Sequence, residues 1–481
     1  MIKTTASVLF KYAGLIGALV YLIAMNLLNQ LPLDVGDGIV HYSIAKVSWS
    51  QPAFFLDHWG KPLFTLLSSG FAQISFKWHI GFNILVFTLT CLVTFRLFKH
   101  LSIAKAYYFF FPLLLICIPD YVNCLLAGMT ETLFGLLLVT AVLLAFLQRW
   151  TLFALVVSLA PFARSEGMLV VIAALFLLAI VSQWKSIPFL LTGFIIYGII
   201  GWGLIGSFWW YFENNPYPEK SIYGSGPWFH YLDTWKNHFG LISMCLLPIG
   251  LFGSLVAFKR KLIPNFGWIF LFGMGIWLGI IVIHSIFWAY GMRGSAGLTR
   301  IATLGLPVAM VFILIGCHFV TKELNTIPHL VGGIFITALF VKEIRELPYP
   351  LHANAFEEIL LQSAEYIGEK YPNKTVYYYH PLIAWRLNVG IKDYPSLLNQ
   401  SCFNNNPESI DQLPVGTIVV RDPQFGPVEH GLNQETMDAL ENKLIRVKTF
   451  KATKPYEVYT GEPVEVVIYR IAPRITKQNI R

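Results

Sequence analysis

Nothing constrains this chain more than its succession of long apolar runs, such as Val8 to Leu28, Gly135 to Leu147 and Leu241 to Phe258. Most extend over roughly 15–24 residues, enough for a helix to cross ~30 Å of hydrocarbon. Lipid offers the backbone no hydrogen-bond partners, so runs this apolar satisfy themselves as spanning helices. Charged residues make up 13% of the chain, about half the share usual in a soluble domain. The sequence therefore reads as a polytopic α-helical membrane protein. The first run is too long for a removed signal peptide and lacks a small-residue cleavage site, so it reads as a retained helix.

The pattern places about eleven transmembrane helices, near 8–30, 79–98, 106–119, 130–147, 151–163, 167–184, 187–209, 241–258, 264–287, 297–320 and 327–346. The loops between them alternate in charge. One set holds eleven bases, from Lys3 and Lys11 through Arg96, Arg149 and Lys259 to Lys322, against the single acid Glu323. The opposite set holds eight bases and nine acids. The net charge of +8 thus resides in one set of loops, which the positive-inside rule makes cytoplasmic. An odd number of crossings puts the N-terminus inside and the tail outside. The basic balance reports topology and gives no ground for nucleic-acid binding. Pro62 to Phe76 is apolar but short and reads as an interfacial or re-entrant helix in the first outer loop.

Residues 347–481 differ in kind, with fourteen bases and fifteen acids. Ala355 to Tyr371 has helical spacing. Thr375 to Tyr379, Thr417 to Val420, Leu444 to Phe450 and Val464 to Ile471 read as strands. A small C-terminal extracytoplasmic α/β domain behind a membrane domain of residues 1–346 is the expected organisation. The six cysteines form no C-x-x-C motif, so neither a zinc site nor a disulfide framework is indicated.

Ionisable groups near membrane depth are costly and point to function. Here they gather at the outer side. The first outer loop carries Asp34 and Asp37, the latter between Gly36 and Gly38, then His41, Asp57, His58 and Lys61. Glu131 opens an apolar helix, where it either answers the helix dipole or supports chemistry. Arg164 and Glu166 lie between two apolar runs and either pair with each other or hold a ligand. Arg293 and Arg300 precede another; they either snorkel to head groups or offer a phosphate a planar fork of donors. A metal site from Asp37, His41, Asp57 and His58 matches no known ligand spacing. No cofactor is assigned, and a divalent metal stays open.

Together these fragments resemble the GT-C glycosyltransferases that use polyprenyl-phosphate-linked sugars, a group that includes protein O-mannosyltransferases and the aminoarabinose transferase of lipid A. The resemblance rests on Asp37, Lys61-Pro62-Leu63, Thr130-Glu131, Arg164-Ser165-Glu166-Gly167, and Arg300 ahead of Leu306-Pro307. Gly38 stands where the protein mannosyltransferases carry a second acid. The resemblance implies an inverting transfer from a polyprenyl-phosphate-sugar donor to a lipid, glycan or protein acceptor, outside the cytoplasmic membrane. Asp37 would be the catalytic base and Glu131 its support. Lys61, Arg300, Arg293 and Arg164 would bind the donor phosphate, and His41, Glu166, Asp57 and His58 would bind substrate. A transporter or lipid-linked-sugar flippase is the alternative, although transporters place charge nearer the midplane and often in repeated halves. A non-catalytic scaffold would leave these charges unexplained.

Overall fold

A computed structural model of the chain describes residues 2–31, 36–214, 216–322, 338–347, 352–388, 413–429, 434–440, 442–458 and 460–473. Asp34, Glu323 and the first part of the expected helix 327–346 lie outside these residues.

Each of the eleven expected positions holds helix among the described residues. Among the described residues, four helical segments have the length and composition to cross a membrane by themselves: Phe76–His100, Trp184–Ile205, Leu241–Lys259 and Phe266–Ala289. Lys105–Ile116 and Pro119–Leu126 make a fifth candidate, bent by 76°. Proline explains the bend: Pro119 opens the second half, and its missing N–H and ring cannot continue the first. Other apolar helices, Glu131–Phe146, Gly167–Ile180 and Leu306–Thr321, are shorter than expected. Pro62–Ala72 has eleven residues, roughly 16 Å of helix and too little to span.

One boundary matters for function. A helix over 297–320 would have placed Arg300 inside it. The helix begins instead at Leu306, with Pro307 in its first turn, and Arg300 sits on a separate 3-10 turn, Thr299–Thr303. The bundle closes around Leu306–Thr321, in which every residue from Leu306 to Cys317 is buried. It packs on Leu241–Lys259, where a Cβ at Gly253 would strike the Gly316 backbone. Small residues at such a crossing let helix backbones approach closely.

The C-terminal part begins with the helix Ala355–Lys370, closed at its start by a capping box of Asn354 and Glu357. Four strands follow: β1 (Val376–Tyr378), β2 (Ile418–Arg421), β3 (Leu444–Lys451) and β4 (Glu465–Ile471). They form one sheet in the order β1-β2-β4-β3, with β1 and β2 parallel and the other pairs antiparallel. The β-branched and aromatic runs in the sequence are what fill these strands. The apolar core of this unit includes Ile39, a residue of the helix Asp37–Val47.

Candidate active site

The first helix ends at Leu28 and the chain re-enters helix at Asp37, the first residue of Asp37–Val47. Asp37 meets Arg300 in a direct ion pair. The Arg300 Nε also lies 3.6 Å from Glu131 Oε1, and Arg164 donates to that same oxygen at 3.0 Å. Glu131 is fully buried, so two guanidiniums compensate a carboxylate that water cannot reach. Arg164 further donates to Thr130 at 3.1 Å and grips Glu166 with two bonds, Nε to Oε2 at 3.2 Å and Nη2 to Oε1 at 3.0 Å. His284 Nε2 stands 3.3 Å from Glu166. One chain of polar contacts thus runs Asp37, Arg300, Glu131, Arg164, Glu166, His284. Paired, bonded charges are the tolerable form of buried charge.

Burial alone would raise the Asp37 carboxyl; the Arg300 guanidinium outweighs it and holds Asp37 below the usual carboxylate range. Burial is likewise overcome at Glu166, which Arg164 keeps well below its ordinary value. Both acids are therefore carboxylates at neutral pH.

Lys61 is buried close by, and it acts on His41 together with Asp37 and Arg164. Its Nζ lies 2.5 Å from the Tyr217 hydroxyl. Its backbone takes φ 60, an unusual conformation for a residue with a Cβ. Asp57 supports that turn by accepting the Gly60 N–H at 2.7 Å. Burial raises the Asp57 carboxyl to about 6 despite that bond. His41 is buried with its ring against Phe64, and burial lowers it to about 3. His58 lies between the rings of Trp210 and Tyr211, with centroids at 5.1 and 4.8 Å, and burial lowers it to about 4. Both imidazoles are neutral at physiological pH.

Of the residues singled out in the sequence, Asp37, Glu131, Arg164, Glu166 and Arg300 form one bonded network. Lys61, held by Asp57, stands beside it. Arg293 is exposed in the turn after Phe266–Ala289, its backbone N–H donating to Glu219. His284 and Tyr217 carried no local signal; one is a lone histidine on an apolar helix, the other an aromatic in a loop. Asn83 and His79 were hidden the same way. Asn83 donates to Cys124 and Met129 carbonyls at 3.2 and 2.9 Å, and His79 Nε2 is 3.2 Å from the Gly128 carbonyl. They hold the turn that leads into Glu131. Gly128 takes φ 72 there, and a Cβ on it would meet the His79 ring at 2.6 Å. Among the described residues no three His, Cys, Asp or Glu side chains converge as a metal-ligand set.

No family model and no curated protein matches the sequence. Solved structures do match it in shape. ArnT from Cupriavidus metallidurans, bound to undecaprenyl phosphate, superposes with a TM-score of 0.61 at 12% identity, over 97% of this chain and 98% of that one. The same protein in the apo state gives 0.61 over 98% of each. The mycobacterial arabinofuranosyltransferase AftD gives 0.51 at 12% identity, over 96% of this chain and 42% of the longer AftD. The chain therefore has the polytopic helical fold of ArnT, which AftD shares over part of its length.

Proposed function

We propose that this chain is an inverting membrane glycosyltransferase that moves a sugar from a polyprenyl-phosphate-linked donor to an acceptor hydroxyl. The observation that carries the reading is the placement of Asp37, Glu131 and Arg300 in one bonded network, with Lys61 near enough to act on the same His41 as Asp37 and Arg164. The fold shared with ArnT, a protein that binds undecaprenyl phosphate, supports the same donor class here.

The roles follow from charge and position. The acceptor oxygen attacks the anomeric carbon as the bond from that carbon to the phosphate oxygen breaks. Asp37 takes the acceptor proton. The electron pair leaves with the lipid phosphate, and Arg300 and Lys61 stabilise the charge that gathers there. Arg300 reaches Asp37 and the phosphate site by the same guanidinium, so one residue links base and leaving group. Glu131 holds Arg300 in place, and Arg164 secures Glu131. Asp57 fixes the Lys61 turn. His41, neutral and beside Asp37, offers a substrate hydroxyl a hydrogen bond, and His58 forms part of the aromatic wall. Arg293, exposed, meets the donor only at the rim.

Residues 1–346 form the catalytic membrane unit of about eleven crossings in this reading, and residues 347–481 an extracytoplasmic domain. The site faces outward from the cytoplasmic membrane, where a lipid-borne donor replaces soluble nucleotide sugars. Charge at helix starts and in the turns between helices favours this over a transporter or flippase, whose charges gather within the membrane at broken helices.

The test is transfer of labelled sugar from a polyprenyl-phosphate donor in membranes. Asp37→Asn keeps the shape and removes the basicity, so turnover should fall by ~10²–10⁴ with the protein still inserted. Normal transfer by that variant would remove Asp37 from the role of base. No transfer by the unaltered protein, with a solute carried across vesicles instead, would sink the enzyme reading.

A further inference from the structure

The helix Asp37–Val47 presents the proposed base on its first residue, which is held from outside the helix by Arg300. Gly36 precedes it and supplies no side-chain cap, and uncapped helix ends leave their first N–H groups without intrahelical partners. Beyond that ion pair, what fixes the helix is the packing of its sides. Val40, Ile44 and Val47 enter a small apolar cluster with Phe54. Ile39 turns a different way. It is 1% exposed and belongs to the core of the C-terminal unit, together with Phe356, Leu382 and Ile383. Leu31, just beyond the first helix, packs on the same cluster. The helix Pro381–Leu387 of the C-terminal unit lies against Asp37–Val47.

Two facts then meet in one turn of helix. Asp37 must hold its carboxylate within hydrogen-bond reach of an acceptor hydroxyl. Ile39, two residues on, is anchored in a domain whose fold is otherwise built from residues 355 onward. A displacement of the order of 1 Å at a reacting group can cost on the order of 100-fold in rate, so the anchor and the base are mechanically linked.

We propose that Ile39 is a positioning residue: by plugging the core of the C-terminal domain it fixes the helix that presents Asp37. The C-terminal domain is then a working part of the active site, because it holds the base in register with Arg300. This inference rests on the glycosyl-transfer reading for its kinetic consequence; the mechanical link stands on the packing alone.

The full-length protein carrying Ile39→Ala tests it, with Ile39→Val as the conservative control. Amide hydrogen exchange in detergent reads the link directly. Exchange at Val40 to Tyr42 should accelerate by about tenfold or more in Ile39→Ala, with Glu131–Phe146 unchanged. Unchanged exchange at Val40 to Tyr42 would overturn the proposal. In the transfer assay kcat should fall on the order of tenfold to a hundredfold, with the donor KM moving within about twofold. Ile39→Val should recover most of the loss. Combined with Asp37→Asn, Ile39→Ala should cause no further loss, because it acts through Asp37. A further, multiplicative loss would mark a general destabilisation and overturn the proposal. If the unaltered protein transfers no sugar at all, the glycosyl-transfer reading falls, and hydrogen exchange still decides whether Ile39 fixes the helix.

Discussion

Arg300 bonds the Asp37 carboxylate across 263 positions of sequence while its Nε faces Glu131 at 3.6 Å. The proposed base is therefore engaged by the proposed phosphate ligand. An arriving lipid phosphate competes with Asp37 for the same guanidinium.

That competition predicts an order of binding. Donor should bind first and free Asp37 for the acceptor. Initial-rate kinetics should show an ordered pattern, with free undecaprenyl phosphate competitive against the donor. Arg300→Ala should raise the donor KM and lower kcat together, and Arg300→Lys should recover only part, since a point charge replaces a bidentate fork. Full activity in Arg300→Lys would remove the fork from the argument.

Arg164 sits between two acids, Glu131 and Glu166, and is itself only 12% exposed. Arg164→Met leaves both carboxylates without their main cation. Breaking a buried pair from one side costs about 3–5 kcal/mol, so thermal unfolding in detergent should shift sharply downward. Glu166→Gln should be milder, because the amide oxygen still accepts from the guanidinium. Equal stability of Arg164→Met and the unaltered protein would show that the network contributes nothing to the fold.

Asp57 supplies a pH dependence. Its folded pKa of about 6 stands above the ordinary carboxylate value, so the folded protein binds the extra proton. Stability from this group is then present at low pH and declines as pH rises through about 6. The full effect is up to about 3 kcal/mol, from two units at 1.36 kcal/mol each. Asp57→Asn keeps an acceptor for the Gly60 N–H and removes the titration. The stability difference between the two proteins should grow in favour of Asp57→Asn from about pH 4 to about pH 6 and level off above that. A constant difference would show that Asp57 does not titrate in this range.

Ile39 in the core of the C-terminal unit places that unit on the same side as Asp37. With the positive loops inside, a reporter active only outside the cytoplasm should work after Arg481 and fail after Lys261. The reverse result would invert the topology and move the site to the cytoplasm.

Much of this protein is legible locally. Long apolar runs specify membrane helices because lipid leaves the backbone no alternative, and charge sorting in the loops needs only a count of Lys and Arg. The helix Ala355–Lys370 and all four strands lie where periodicity and β-branched residues put them, since both signals act over a few residues. The acids and bases at helix ends were visible for the same reason: Asp37, Glu131, Arg164, Glu166 and Arg300 each interrupt an apolar pattern. What local signals could not decide is which of them meet. Arg293 and Arg300 looked alike in sequence, yet the glycine-rich turn leaves Arg293 exposed while the short turn Thr299–Thr303 brings Arg300 onto Asp37. His284 reaches Glu166, Tyr217 reaches Lys61 and Ile39 enters the C-terminal core only through packing. Hydrophobic periodicity says that a helix is buried on one face but not against what. Partners are chosen by how closely helices approach, as Gly253 and Gly316 allow, and that distance exists only once the whole bundle has closed.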